Sequence, residues 1–179
     1  SMSRFGLVIG CLALGLFRTQ LALFFTENLG YSKPQFGILT FFLFFAHFTG
    51  FYITGKTKNW HYKLTPFIAS QLIIAVAMLM ILFCTSLISL CTAAIFIGVG
   101  QSFVYSSHQY YCVSGKTKRS GSMAIHEILI SIGYTGGSIA GGYLAEYLSR
   151  YWPYWFGFTA VMLALAIQAL IFAYHKKEK

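Results

Sequence analysis

Phe-Gly-Leu-Val-Ile-Gly-Cys-Leu-Ala-Leu-Gly-Leu-Phe-Arg-Thr-Gln-Leu-Ala-Leu-Phe-Phe-Thr-Glu-Asn, residues 5–28, decides how this chain must be read. Only Arg18 and Glu27 in it are charged, and as an α-helix rising 1.5 Å per residue it reaches about 36 Å. Roughly 20 apolar residues cross the hydrocarbon core of a bilayer, so the run reads as a membrane helix. It exceeds a signal-peptide core and has no small-residue cleavage site, so it counts as a span rather than a leader. Ser1-Met2 ahead of it reads as a tag-cleavage remnant, with native numbering starting at Met2.

Working outward, five more apolar runs follow: Pro34 to Gly55, Leu64 to Cys84, Leu87 to Cys112, Gly121 to Glu146, and Pro153 to Tyr174. All six must be helices, because open strands would leave backbone groups unpaired in lipid. Gly30 to Pro34, Thr65-Pro66, Gly115 and Trp152-Pro153 punctuate the joints, and no linker or low-complexity stretch divides the chain. The expected fold is an all-α membrane protein, a six-transmembrane-helix bundle forming one domain over residues 1–179.

Composition agrees. Of 179 residues, 57% are hydrophobic, 18% aromatic and only 9% charged, against about 25% charged in a soluble domain. Such a chain has no reason to stay disordered in a bilayer. Its four cysteines are ordinary usage rather than a disulfide scaffold. The four acids are Glu27, Glu127, Glu146 and Glu178, too few for an acidic metal cage.

The net charge of +9 has an address. Arg4, Lys56, Lys58, Lys63, Lys116, Lys118, Arg119, Lys176, Lys177 and Lys179 all fall on one side of the six spans, and only Lys33 and Arg150 on the other. The positive-inside rule makes the first side cytoplasmic, with both termini there, in a multi-pass protein of the cell membrane. The charge is an orientation signal that can touch anionic lipid, not a nucleic-acid footprint.

Three stretches carry a family resemblance. Asn28-Leu29-Gly30-Tyr31-Ser32-Lys33-Pro34-Gln35-Phe36-Gly37 lies between the first two spans. Gly50-Phe51-Tyr52-Ile53-Thr54-Gly55-Lys56, with Lys58 and Lys63, closes the second. Gly137-Ser138-Ile139-Ala140-Gly141-Gly142-Tyr143-Leu144-Ala145-Glu146 ends the fifth. In order and spacing they resemble the outer turn, the basic cytoplasmic loop and the glycine-rich fifth helix of one half of a major facilitator superfamily (MFS) transporter. The chain departs from that pattern: the loop lacks the usual Asp near Thr54, Ser138 replaces a Pro, and no Arg precedes Gly98-Val99-Gly100. These absences favour the carboxy-terminal half. The resemblance implies two three-helix repeats of opposite orientation and a solute site near the midplane, between two halves.

Polar residues at membrane depth are costly and normally face a bundle interior or an aqueous cavity. Arg18 sits mid-span with Gly15 and Ala22 beside it, and reads either as a clamp on backbone carbonyls or as a contact for substrate or a partner charge. In the fourth span Gln101, Tyr105, His108 and Cys112 recur on one helical face, either a cavity wall, the reading preferred here, or interhelical glue. Glu127, Ser131, Tyr134 and Ser138 form a similar stripe on the fifth. Glu127 is a proton carrier, with His126 beside it, if buried, and a partner for Lys116 or Arg119 if interfacial. Expected substrate contacts are thus Arg18, Gln101, Tyr105, His108, Ser131 and Tyr134, with Glu127 and His126 for coupling. Gly133, Gly137, Gly141 and Ala145 repeat every four residues, a small-residue packing face. His47 and Gln71 are weaker candidates, and Trp60, Tyr62, Tyr151, Trp152, Tyr154 and Trp155 read as an interfacial belt.

Other classes find little support. There is no Gly-x-Ser-x-Gly, no Cys-x-x-Cys and no His-Glu-x-x-His, and the five histidines are scattered, so neither an enzyme nor a metal centre is expected. Gly50-Phe51-Tyr52-Ile53-Thr54-Gly55-Lys56 has the Gly-x-x-x-x-Gly-Lys spacing, but it closes an apolar span instead of linking a strand to a helix. It is not read as a phosphate-cradling loop, and no nucleotide or other cofactor is expected. The reading is half of a secondary active transporter, moving a small solute by alternating access in proton-coupled symport or antiport. The alternative is a transport-inactive six-helix subunit or assembly module. Either way, a second six-helix half or a copy of the chain should pair with it and cover the glycine face, and the resemblance implies that the second and fifth spans line this contact.

Overall fold

The computed structural model describes residues 2–61, 63–115 and 119–177. Within them lie six helices: α1 (Met2–Leu23), α2 (Lys33–Lys56), α3 (Leu64–Phe83), α4 (Leu87–Val113), α5 (Arg119–Tyr147) and α6 (Trp152–Lys177). A π-helical turn, Phe24–Asn28, prolongs α1, so the run that opens the chain stays helical to its end. All six are long and apolar enough to cross a bilayer. Lys116, the Arg119 side chain and Tyr62 lie outside the described residues.

Local chemistry sets the joints. Gly30 and Gly115 adopt the left-handed backbone (φ 71° and 69°) that a side chain disfavours, and each ends a helical segment. Ser32 starts α2: Gln35 Oε1 accepts from its backbone N–H and its hydroxyl, both at 2.9 Å, and Pro34 follows in the first turn. Ser86 Oγ accepts from Ser89 N–H at 3.2 Å to start α4. Arg150 pairs with Glu27 and donates to the Leu23 carbonyl, tying the α5–α6 turn to the end of α1.

Helix pairing follows a simple rule. α1 packs chiefly on α5 and α4 chiefly on α2; α4 also lies on α3, and α1 on α6; α3 meets α6. Exchanging the first three helices for the last three leaves that list unchanged, which is the pairing two three-helix repeats produce. The α3–α6 seam holds a buried amide pair in which Gln71 Nε2 donates to Gln168 Oε1 at 3.0 Å and Gln168 Nε2 returns the bond at 3.4 Å. In lipid such a reciprocal pair joins helices where apolar contact alone has no hydrophobic drive.

Close approach needs small residues. A Cβ on Gly137 would meet the Leu12 carbonyl, one on Gly133 the Val8 carbonyl, and one on Gly15 the Tyr134 carbonyl. The glycine face of α5 is therefore already occupied by α1. The expectation that it awaits a second half is corrected: backbone-to-backbone packing inside this bundle uses it up. In the equivalent seam, a Cβ on Gly98 of α4 would meet the Leu43 carbonyl of α2.

What remains open are the other faces of α2 and α5. Phe41, Phe44, Phe45, Phe48 and Tyr52 are exposed on the first, and Ile125, Ile128, Ile132, Ile139 and Tyr143 on the second. The aromatic belt also changes: Trp152 and Trp155 are exposed, but Trp60 and Tyr154 are buried. Trp60 Nε1 donates to the Thr54 carbonyl at 3.1 Å, so its indole closes the end of α2.

Candidate functional site

Arg18 opens the site. It lies on the exposed side of α1, because Gly15 one turn earlier presses that helix against α5 on a neighbouring face. Its guanidinium carbon stands 4.9 Å from the Phe44 ring centroid of α2 and 5.8 Å from that of Tyr134 of α5. Two aromatic rings thus flank the cation by cation–π attraction without neutralising it. Among the described residues no carboxylate lies within ion-pair distance of it; the ion pair found there is Arg150–Glu27.

Glu127 shares a side of α5 with Tyr134, seven residues on, or about 10 Å along the axis. Its side chain is exposed on the open face, and Tyr105 of α4 donates its hydroxyl to Oε1 at 3.4 Å. Tyr105 is wedged edge-on between Phe51 (5.3 Å) and His126 (4.7 Å), which sets where its hydroxyl points. Ser131 and Ser138 return their hydroxyls to the carbonyls of Glu127 and Tyr134 at 2.9 Å, so they line the face with satisfied groups.

The α4 stripe divides. Tyr105 reaches the open face, but Gln101, His108 and Cys112 are buried between helices. Gln101 Nε2 approaches Cys11 Sγ of α1 at 3.4 Å. His108 and His126 are fully buried and stack at 4.9 Å with their Nδ1 atoms 2.6 Å apart. Cys112 Sγ lies 3.5 and 3.6 Å from the two nitrogens of His108. For Gln101 and His108 the interhelical reading fits the observed burial, and the cavity-wall expectation does not. His126 is likewise turned into the α4–α5 seam, away from Glu127's open side.

Membrane-length helices, the repeat-like pairing and an open cationic face point one way, and a family comparison decides it. The Major Facilitator Superfamily model matches residues 5–179. The chain belongs to the Major Facilitator Superfamily. It is therefore a multi-pass membrane protein of a transporter family. A search of curated proteins found no match.

Within this MFS bundle, sequence reasoning missed two groupings. Gln168 escaped notice because one Gln in an apolar run carries no periodic signal; only its meeting with Gln71 gives it a role. The scattered histidines argued against a metal-type cluster, yet His108, Cys112 and His126 offer ligand atoms all within 4.8 Å of one another. The signal was half present, since His108 and Cys112 are one helical turn apart. His126 arrives from another helix, which spacing alone does not report.

Proposed function

We propose that this chain is one half, of the carboxy-terminal type, of a secondary active transporter that moves a small anionic solute by alternating access. The observation that carries it is Arg18, an unneutralised cation held between Phe44 and Tyr134 at mid-helix depth on the open face. A charge in that position costs several kcal/mol in lipid and is normally kept for a cavity and its ligand. A carboxylate or phosphate of the solute would supply the missing counter-charge.

Energy comes from an ion gradient. Glu127 is exposed on the open face of α5, where a second half would bury it; hydrogen-bonded by Tyr105 about 10 Å along α5 from Tyr134, it is the proton carrier in this reading. A second half, another six-helix partner or a copy of this chain, covers the open faces of α2 and α5 and closes the cavity. Both termini are cytoplasmic in the cell membrane, as the charge bias directs. An impermeant thiol reagent added outside should label single cysteines at Ser32 and Ser149, but not at Thr57; the reverse pattern removes the orientation.

The transport test uses sealed proteoliposomes and a panel of labelled carboxylates and phosphate esters. Accumulation under an inward proton gradient is expected for at least one anion. Arg18→Ala should lose at least about tenfold in apparent affinity, a charge-assisted contact's worth. Glu127→Gln should abolish gradient-driven accumulation yet keep passive exchange. Uptake restricted to neutral or cationic solutes, unaffected by Arg18→Ala, would sink the anion reading. Normal accumulation by Glu127→Gln would remove proton coupling through that residue.

A further inference from the structure

The His108–Cys112–His126 cluster belongs to none of the roles above, and its chemistry is specific. His108 and Cys112 face the same way from consecutive turns of α4, and Cys112 lies in its last turn before Val113. His126 enters from α5, seven residues after Arg119, about 10 Å into that helix. All three side chains are buried, both imidazoles completely. His126 Nε2 has no hydrogen-bond partner. A buried imidazole nitrogen without a partner has lost its water and gained nothing in return, so the seam holds a group whose bonding is unfinished.

We propose that His108, Cys112 and His126 form a binding site for a late first-row transition-metal ion of the Zn2+ type, clamping α4 to α5. Two imidazoles and a thiolate are the borderline-to-soft donors that such ions select over Mg2+ or Ca2+. The geometry is close to what coordination needs. Bonds of about 2.0–2.1 Å to nitrogen and 2.3 Å to sulfur place tetrahedral ligand atoms about 3.3–3.6 Å apart. The Cys112–His108 separations of 3.5 and 3.6 Å already fall there. The two Nδ1 atoms, at a hydrogen-bond distance of 2.6 Å, must part by up to about 1 Å if both bind, and all the ligand atoms lie within 4.8 Å, so movements of about 1 Å complete the site. On binding, the Cys112 thiol gives up its proton and the imidazoles bind as neutral donors. Three protein ligands leave a fourth position for water.

The fold explains why a clamp would matter here. α5 rests chiefly on α1, and its direct packing on α4 is slight. A metal bridge would join two helices that apolar contact joins only weakly. It lies in the α4–α5 seam, apart from Arg18 on α1, and it stands whether or not the chain transports an anion.

The test uses the full chain in detergent micelles, affinity tag removed and stripped with chelator, titrated with Zn2+ against a chromogenic zinc indicator. One equivalent should bind, and the thermal unfolding midpoint should rise with it. Cys112→Ser and His126→Gln should each weaken binding at least about tenfold, whereas Cys91→Ser should keep the one-to-one stoichiometry. Co2+ should give a thiolate charge-transfer band that Cys112→Ser lacks. A readout free of variant folding is alkylation of the unaltered protein: Zn2+ should slow modification of Cys112 and leave that of Cys84 unchanged. Absence of stoichiometric binding, binding that Cys112→Ser leaves intact, or alkylation of Cys112 indifferent to Zn2+ would each overturn the site.

Discussion

The α1–α5 seam and the α2–α4 seam each join one three-helix repeat to the other at equivalent places, and both rely on glycine pressed against a carbonyl. Gly137 meets the Leu12 carbonyl in the first, Gly98 the Leu43 carbonyl in the second. Their outward faces differ. α5 turns Glu127, Ser131 and Tyr134 to the open side, whereas α2 turns Phe41, Phe45 and Phe48. Close packing is thus conserved in kind between the repeats while chemistry is not. Helix contact demands only small residues at the right turn. The open side is free of that demand, so one repeat can carry ionisable groups and the other an aromatic surface.

The largest effect is expected from filling the two seams. Gly137→Leu and Gly98→Leu should each destabilise the bundle by about 3 kcal/mol, because neither carbonyl can retreat without moving its helix. Unfolding titrations in mixed micelles would measure this. A tolerated Gly98→Leu beside a damaging Gly137→Leu would mean that the two seams are alike only in outline.

A smaller effect is expected at the α3–α6 seam. Gln71→Leu strands Gln168 in the interior and should cost about 1–3 kcal/mol. Combining it with Gln168→Leu should recover most of the loss, since two apolar groups replace a satisfied pair. If the double variant is no better than the single, the amides do more than satisfy each other.

Smaller still is the end-on tie from Arg150 to Glu27, whose side chains are 33% and 54% exposed. Arg150→Ala should change stability by about 0–1 kcal/mol, and less at high salt. Ser131→Ala, on the open face of α5, should be close to neutral, because its hydroxyl already bonds its own helix. A loss above about 1 kcal/mol there would show that the face is structural rather than free.

How far the site could be read beforehand differs residue by residue. Arg18 and Glu127 were legible, because an ionisable residue inside an apolar run stands out whatever surrounds it. The α4 stripe was not. Gln101, Tyr105 and His108 share a helical face by spacing, but that face is broad enough for Tyr105 to reach Glu127 while His108 turns to His126. The glycine repeat of α5 announced close packing without naming α1 as the neighbour. Trp60 and Tyr154 sit near span ends as belt residues do, and only their burial separates them from Trp152 and Trp155.

Taken alone, the sequence determined that six helices cross a membrane, because apolar run length is a local quantity set by bilayer thickness. It also determined the side on which positive charge gathers, and the family resemblance of the whole chain. Tertiary structure alone decided which helix fills the glycine face, that Gln71 finds Gln168, and that His108, Cys112 and His126 converge. Those are meetings between residues 18 to 125 positions apart, and a one-dimensional period reports the direction of a side chain but never its partner.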